Sequence, residues 1–404
     1  MLQPYREVFN RNFTAEQYAT LQQKLAAATH TPIEFRVAET PVFFQRAMLD
    51  EIAAIGIELT HQLVDSPEYM RVSAGSIPAK YNVRNESPQP HFMTVDFGLV
   101  RDAEGTLKPR LVEMQAFPSI FGYQDVLSRE YIDTYHLDPS LNWYLGGHGH
   151  ASYWELLRKV IVADHEPKHV VLMEVEPETQ KTLPDFKVYV DRLGIVIVDI
   201  AKIRQQGRQL FYQDASGKWI RIARIFNRAI VDEIERKQIQ LAFDPTADLD
   251  VEWAGHPNWF FRISKFSLPY LDHPAVPKAV FLDDWFRNPD STQLPADRTN
   301  ILLKPLYSFA GKGIQFAPTD EELNSIPETE RSLYLLQERV FFEPVVDTPF
   351  GLTQAEIRVM YLWPDGGTME PVISLVRMGR GLMMGVDHNR NQEWVGGSAA
   401  LFPG

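Results

Sequence analysis

The chain has no cysteine, which excludes disulfides, zinc–thiolate centres and a cysteine nucleophile. It has no apolar run near the ~18 residues that a bilayer-spanning helix needs. The opening MLQPYREVFNRNF lacks the apolar core of a secretory signal, so a cytoplasmic location is expected. Internal repeats and low-complexity tracts are missing. Positive charge is in deficit, with 40 Lys and Arg against 53 Asp and Glu. The net charge of −13 argues against nucleic acid or an anionic membrane as a partner, since both would be repelled. It leaves room for a local basic cleft around a small polyanion. Two nucleotide signatures are also missing. No GxxxxGK[ST] occurs, and no GxGxxG follows a β-branched run.

What is present reads as an α+β protein. A chain of 404 residues exceeds one hydrophobic core, so two or three packed units are expected. Thr14-Ala-Glu-Gln17 has the form of a capping box and predicts a helix to about Ala28. Thr40-Pro41, a cap followed by an N1 proline, predicts a second helix to about Leu63, with Phe44, Met48, Ile52 and Ile55 on its core face. Residues 92–100 and 110–115 read as a hairpin around the turn Asp102-Ala-Glu-Gly105. The composition shifts near residue 165. The run 169–175, a helix from Thr182-Leu-Pro184 to Gly194 and the run 195–199 form a β-α-β unit, which implies parallel strands. A hairpin around Asp214-Ala-Ser-Gly217 and a strand over 222–228 follow. Further strands are predicted over 300–304, at Ile314, and over 333–340, 356–363 and 370–376. Thr319-Asp-Glu-Glu322 caps a short helix between them.

Several residue sets could carry chemistry. Glu113 and Gln115 are two apart on one strand and share a face; the hairpin can bring Asp96 beside them. Three oxygen donors suit Mg²⁺, although on residue types alone a solvated polar face is the preferred reading. Lys304 ends a β-branched strand and precedes a small-residue loop containing Ser308, Gly311, Lys312 and Gly313. Main-chain N–H groups and a lysine hold phosphates this way; a β-turn with an exposed lysine reads as well. Gln337 and Glu338 break an apolar strand that runs on to Val340 and could offer its backbone to an adenine ring; on its own an amphipathic strand is the preferred reading. Glu356, Arg358, Arg377, Arg380 and Lys265 supply charge, and arginines bind carboxylates or phosphates bidentately. Gly396 and Gly397 lie in a second small-residue loop that either closes over a ligand or frays. His148 and His150 flank Gly149, too few local ligands for a metal, so a loop reading is preferred.

Taken in order, these pieces resemble the circularly permuted branch of the ATP-grasp superfamily, the eukaryotic-type glutathione synthetases and the glutathionylspermidine synthetases. In that branch an early hairpin carries Asp, then Glu-x-Asn seventeen positions later, as metal ligands. Here Asp96 precedes Glu113 by the same spacing and Gln115 replaces the Asn. The stretch 117–122, which includes Ser119, is similar to the segment that follows the family motif. Lys265, Lys304 with its glycine-rich lid, and the segment 336–340 resemble the nucleotide-contacting positions. Arg377 and the Gly396-Gly397 loop look like the carboxylate-holding arginine and the loop after it. The resemblance departs at Ser308, where the family has a third metal-ligand carboxylate, and at Gly379, where it has a lysine; Arg380 stands next to that position.

The resemblance implies an ATP-grasp-like catalytic body, 1–165 and 246–404, interrupted by a pre-ATP-grasp-like α/β substrate domain, 166–245. It implies a ligase that uses ATP and Mg²⁺ to join a small-molecule or peptide carboxylate to an amine through an acyl-phosphate. Asp96, Glu113 and Gln115 would hold metal. Lys265, Lys304, Ser308, Gly311, Lys312, Gly313, Gln337, Glu338 and Val340 would hold ATP. Lys304, Arg377 and Arg380 would serve catalysis, and Ser119, Arg228, Glu356, Arg358, Gly396 and Gly397 would bind substrate. A small-molecule kinase and a non-catalytic nucleotide-binding protein are the alternatives. The oligomeric state is open, a homodimer included.

Overall fold

The computed structural model describes residues 1–289, 293–307, 313–384 and 391–404. Among these residues the centre is an eight-stranded sheet. Six strands lie in the order Val42–Phe43, Gly396–Pro403, Glu370–Gly379, Gly351–Leu362, Phe92–Arg101 and Leu107–Gln115. Two more, Pro344–Thr348 and Leu141–Asn142, pair onto this row.

Side chains alternate between the two faces of the sheet. On one face Val95, Phe97, Ile357, Val359 and Met378 form a core with Leu49, Ile52, Leu59 and Leu63 of the helix Arg46–Val64. On the other, Phe92, Met360, Leu362, Leu375 and Ala399 pack toward the helices Phe121–Tyr135 and His150–Ile161. Each such buried Val, Leu, Ile, Phe or Met side chain contributes roughly 1.5–3 kcal/mol.

The predicted capping box is formed. The Gln17 N–H donates to Thr14 Oγ1 at 3.2 Å, and the Thr14 N–H donates to Gln17 Oε1 at 3.3 Å. Thr40-Pro41 does not begin a helix. Val42 and Phe43 instead pair parallel with Ala400 and Leu401, and the helix starts at Arg46. A β-branched and an aromatic residue gain more from that fully buried pairing than from a first helical turn. Gly396 and Gly397 likewise belong to an interior strand rather than a loop. Gly396 has φ +120 and lies against the Arg36 carbonyl, so a side chain there would collide with backbone.

The β-α-β unit is present, with Val170–Glu174 and Val196–Asp199 parallel and the helix Leu183–Leu193 between them. Arg224–Asn227 adds a third strand and Glu252–Ala254 a fourth, so this parallel sheet runs past residue 245. Val171, Met173, Ile225 and Trp253 give it a core of its own. A third, antiparallel sheet runs Ala279–Phe281, Tyr334–Glu338, Ile301–Pro305, Gln315–Phe316. Leu303 and Leu336 face its core with Leu282 and Leu323.

Candidate functional site

The second face of the central sheet changes character along its strands. Beyond Phe92, Met360 and Leu375 the same face carries Asp96, Arg358 and Arg377, which line a cavity of about 580 Å³. Antiparallel register sets these charges in a row. Arg358 lies opposite Asp96, Asp96 opposite Glu113, and Glu356 opposite Arg377. A β-bulge between the Asp96–Glu113 and Phe97–Leu111 pairs leaves Val112 as the extra residue. It turns Leu111 into the core while Glu113 and Gln115 face the cavity.

The row is tightly paired. Arg358 Nε and Nη2 each donate to an Asp96 oxygen at 2.6 Å, a bidentate pair with both partners buried. Arg377 Nη1 donates to Asp96 Oδ2 at 2.9 Å and also to Glu356. Burial alone would raise the Asp96 carboxyl, but the charges of Arg358 and Arg377 overcome it and hold the group at about 2. Burial and the Asp96 charge raise the Glu356 carboxyl against the pull of Arg377. Gln115 Nε2 donates to Glu113 Oε1 at 2.8 Å, and Arg358 Nη2 stands 3.9 Å from the same oxygen.

Two lysines come from other parts of the chain. Lys304 points from Ile301–Pro305 toward the cavity, opposite in sense to Leu303. Lys265 opens the 3-10 helix Lys265–Tyr270, whose first turn is capped by Ser264 Oγ. Both are buried and both line the cavity. Burial and the neighbouring Lys265 lower the Lys304 ammonium to about 8, with Glu113 and Glu356 acting the other way. Such an amine gains charge stability when an anion arrives. Gln337, in register with Leu302 on the next strand, has a buried Oε1 without a hydrogen-bond partner among the described residues. Val340, Phe316 and Phe342 complete this apolar end.

The parallel sheet forms the third wall. Arg228 follows Arg224–Asn227, and its guanidinium lies 5.0 Å from the Phe117 ring centre and 5.3 Å from that of Phe186. Its Nε and Nη1 are buried without hydrogen-bond partners among the described residues. Glu174 ends Val170–Glu174 and accepts the Val175 N–H at 2.8 Å. Burial raises its carboxyl to about 8 despite Arg228. Ser119 Oγ lies 3.4 Å from Arg358 Nη1, and the next residue, Ile120, has φ +51, an uncommon conformation for a β-branched side chain.

Twelve of the residues singled out above thus line one cavity: Asp96, Glu113, Gln115, Ser119, Arg228, Lys265, Lys304, Gln337, Val340, Glu356, Arg358 and Arg377. Others lie apart. Glu338 accepts from Arg110 at 2.7 Å on the far side of its strand. Arg380 donates to the Glu393 carbonyl and to Thr348. Gly396 and Gly397 pack on Arg36, and Gly313 on Pro305. Ser308, Gly311 and Lys312 lie outside the described residues. His148 and His150 go to different partners, Glu370 and Asp125. Sequence reasoning passed over Glu174, Gln180 and Glu233, which also line the cavity. Glu174 sat in view at the carboxyl end of a predicted parallel strand, where ligand crevices form in such sheets.

As arranged, the acidic residues do not fit a divalent cation. Both Asp96 oxygens are committed to arginine, as is one Glu356 oxygen. Among the described residues no three His, Asp or Glu side chains are placed to hold a metal ion.

No protein-family model and no curated protein matches the sequence. A solved structure does, that of a glutathione synthetase-like effector of Globodera pallida in its apo form. It is 11% identical, covers 96% of each chain and superposes with a TM-score of 0.59. The chain therefore has a glutathione synthetase-like α+β fold. Among the described residues no helix is long and apolar enough to cross a membrane.

Proposed function

We propose that this cavity binds ATP beside a small carboxylic acid and that the protein joins the acid to an amine. One observation carries the reading. Lys304 and the Asp96–Glu113 hairpin, remote in sequence, meet with Lys265 and Arg377 around one buried volume. Lys265 and Lys304 suit a polyphosphate tail, and the edge formed by Gln337, Val340, Phe316 and Phe342 suits a flat heterocycle. Arg228, whose Nε and Nη1 have no hydrogen-bond partner among the described residues, suits the carboxylate.

The chemistry has two steps. A carboxylate oxygen attacks the γ-phosphorus, the bond to the β-bridging oxygen breaks, and ADP leaves with that electron pair. The amine nitrogen then attacks the acyl carbon, phosphate departs with the C–O electrons, and the surplus proton passes to solvent. Phosphoryl transfer asks the protein mainly for positioning and charge neutralisation, which fixed lysines and arginines supply. Loss of one such group costs on the order of 3 kcal/mol in the barrier.

The test is ADP release with a panel of acids, using hydroxylamine to trap the acyl-phosphate as a hydroxamate. Hydroxamate from the native protein and none from Lys304→Ala is the expected result. ATP that does not bind at all refutes the reading. A second reading, nucleotide binding without turnover, is favoured by the arginine pairing of Asp96 and Glu356. It predicts saturable binding with no ADP formed from any acid.

A further inference from the structure

We infer that Arg358 occupies the position a divalent metal would take in this cavity, so that anion binding here needs no Mg²⁺. The nucleotide half of the inference rests on the function proposed above; the metal half does not.

Position comes from register. Arg358, Asp96 and Glu113 form one row across three adjacent strands, all facing the cavity. A cation bound by the Asp96 and Glu113 carboxylates would lie over this row. The guanidinium is there already, 2.6 Å from both Asp96 oxygens and 3.9 Å from the nearer Glu113 oxygen. A metal entering the row would have to break a buried bidentate pair and leave an unsatisfied guanidinium beside a dication.

Among the described residues the other carboxylates at this edge are engaged by arginine. One Glu356 oxygen is tied to Arg377, and Glu338 is tied to Arg110. Glu113 remains, its Oε1 accepting from the Gln115 amide nitrogen. Glu113 and the second Glu356 oxygen make a thin donor set for an ion that wants octahedral oxygen ligation. A guanidinium supplies what the metal would supply toward a phosphate, a fixed positive charge with directed N–H donors. Among the described residues Arg358 Nη1 has only a long contact, 3.4 Å, to Ser119 Oγ and so keeps donor capacity on the Ser119 side.

The experiment has two arms on the full chain. In the first, Mn²⁺ alone is titrated without nucleotide and followed by EPR. The native protein is expected to show no site, and Arg358→Ala to gain one that Glu113→Gln removes. A native Mn²⁺ site lost in Glu113→Gln overturns the inference. Should Arg358→Ala not fold, Arg358→Lys and the native titration still decide, since a native site is the disproof. In the second arm ATP binding is measured by calorimetry in EDTA and in Mg²⁺. Affinities within about threefold are expected, and a loss beyond about thirtyfold in EDTA overturns the inference. No ATP binding in either buffer refutes the proposed function instead, and the Mn²⁺ arm alone then judges Arg358.

Discussion

Gly98 makes room for Phe342. A Cβ at Gly98 would overlap the Phe342 ring, which closes one side of the cavity over the central sheet. The glycine is thus a packing device two residues beyond Asp96, on the same face.

Gly98→Ala should therefore push Phe342 out of its seat. Overpacking of this kind costs typically 1–3 kcal/mol. A lowered unfolding midpoint is expected, partly recovered in the double variant Gly98→Ala with Phe342→Leu. Chemical denaturation of the four proteins measures the coupling. Purely additive effects would show that the two residues do not interact.

Lys304→Met should separate stability from binding. The native state holds this ammonium buried, with its pKa lowered to about 8 by burial first and Lys265 second. Methionine keeps the volume and removes the cost of burying charge, so stability should hold or rise. Affinity for ATP should fall, by roughly tenfold to a hundredfold for one lost charge-assisted contact. Thermal melts and calorimetry on one preparation test both halves. Unchanged ATP affinity would remove Lys304 from the site.

Part of this was legible in the sequence because it depends on local periodicity. Glu113 and Gln115 share a face through the two-residue repeat of a strand, and Thr14 and Gln17 declare their helix start. The Asp96–Glu113 pairing follows from one short hairpin. The partner of Asp96 was not legible. Arg358 lies 262 residues further on, and only strand order and register put it opposite Asp96. The end strands misled for the same reason. Thr40-Pro41 carries a local helix signal, but Val42 and Phe43 answer to Ala400 and Leu401 at the other end of the chain. Glu174 escaped because its burial comes from the walls built around it, not from its neighbours in sequence.

Glu174 should make stability depend on pH in an uncommon direction. Its folded carboxyl sits near 8, raised by burial, against an ordinary value of 4.5. The folded state therefore binds the proton more tightly than the unfolded chain. Its contribution to stability is greatest below pH 4.5 and is lost as pH rises through 8. Asp185, raised by burial to about 6, acts the same way over a lower window. Glu174→Gln should remove the upper part of the loss, on the order of 4 kcal/mol between pH 5 and 9. Urea unfolding at pH 5, 7 and 9 measures it. Equal slopes for native and variant protein would place the titrating group elsewhere.

Arg228 couples those two acids. Its positive charge is the largest influence opposing the burial-driven rise at both Glu174 and Asp185. It remains short of hydrogen bonds, with Nε and Nη1 unsatisfied among the described residues. Arg228→Met should therefore do two things at once. Both carboxyls lose an opposite charge, so their folded pKa values rise further and the pH-dependent loss of stability moves to higher pH. At pH 5, where both acids are largely protonated in the fold, the variant sheds an under-bonded buried guanidinium and should be as stable as the native protein or more so. A carboxylic acid that binds through Arg228 should lose affinity in the variant by roughly tenfold or more. Unfolding curves across pH, with and without the acid, separate these effects. An unchanged pH profile would mean that Arg228 does not reach the acids, and an unchanged ligand affinity would mean that the carboxylate is held elsewhere.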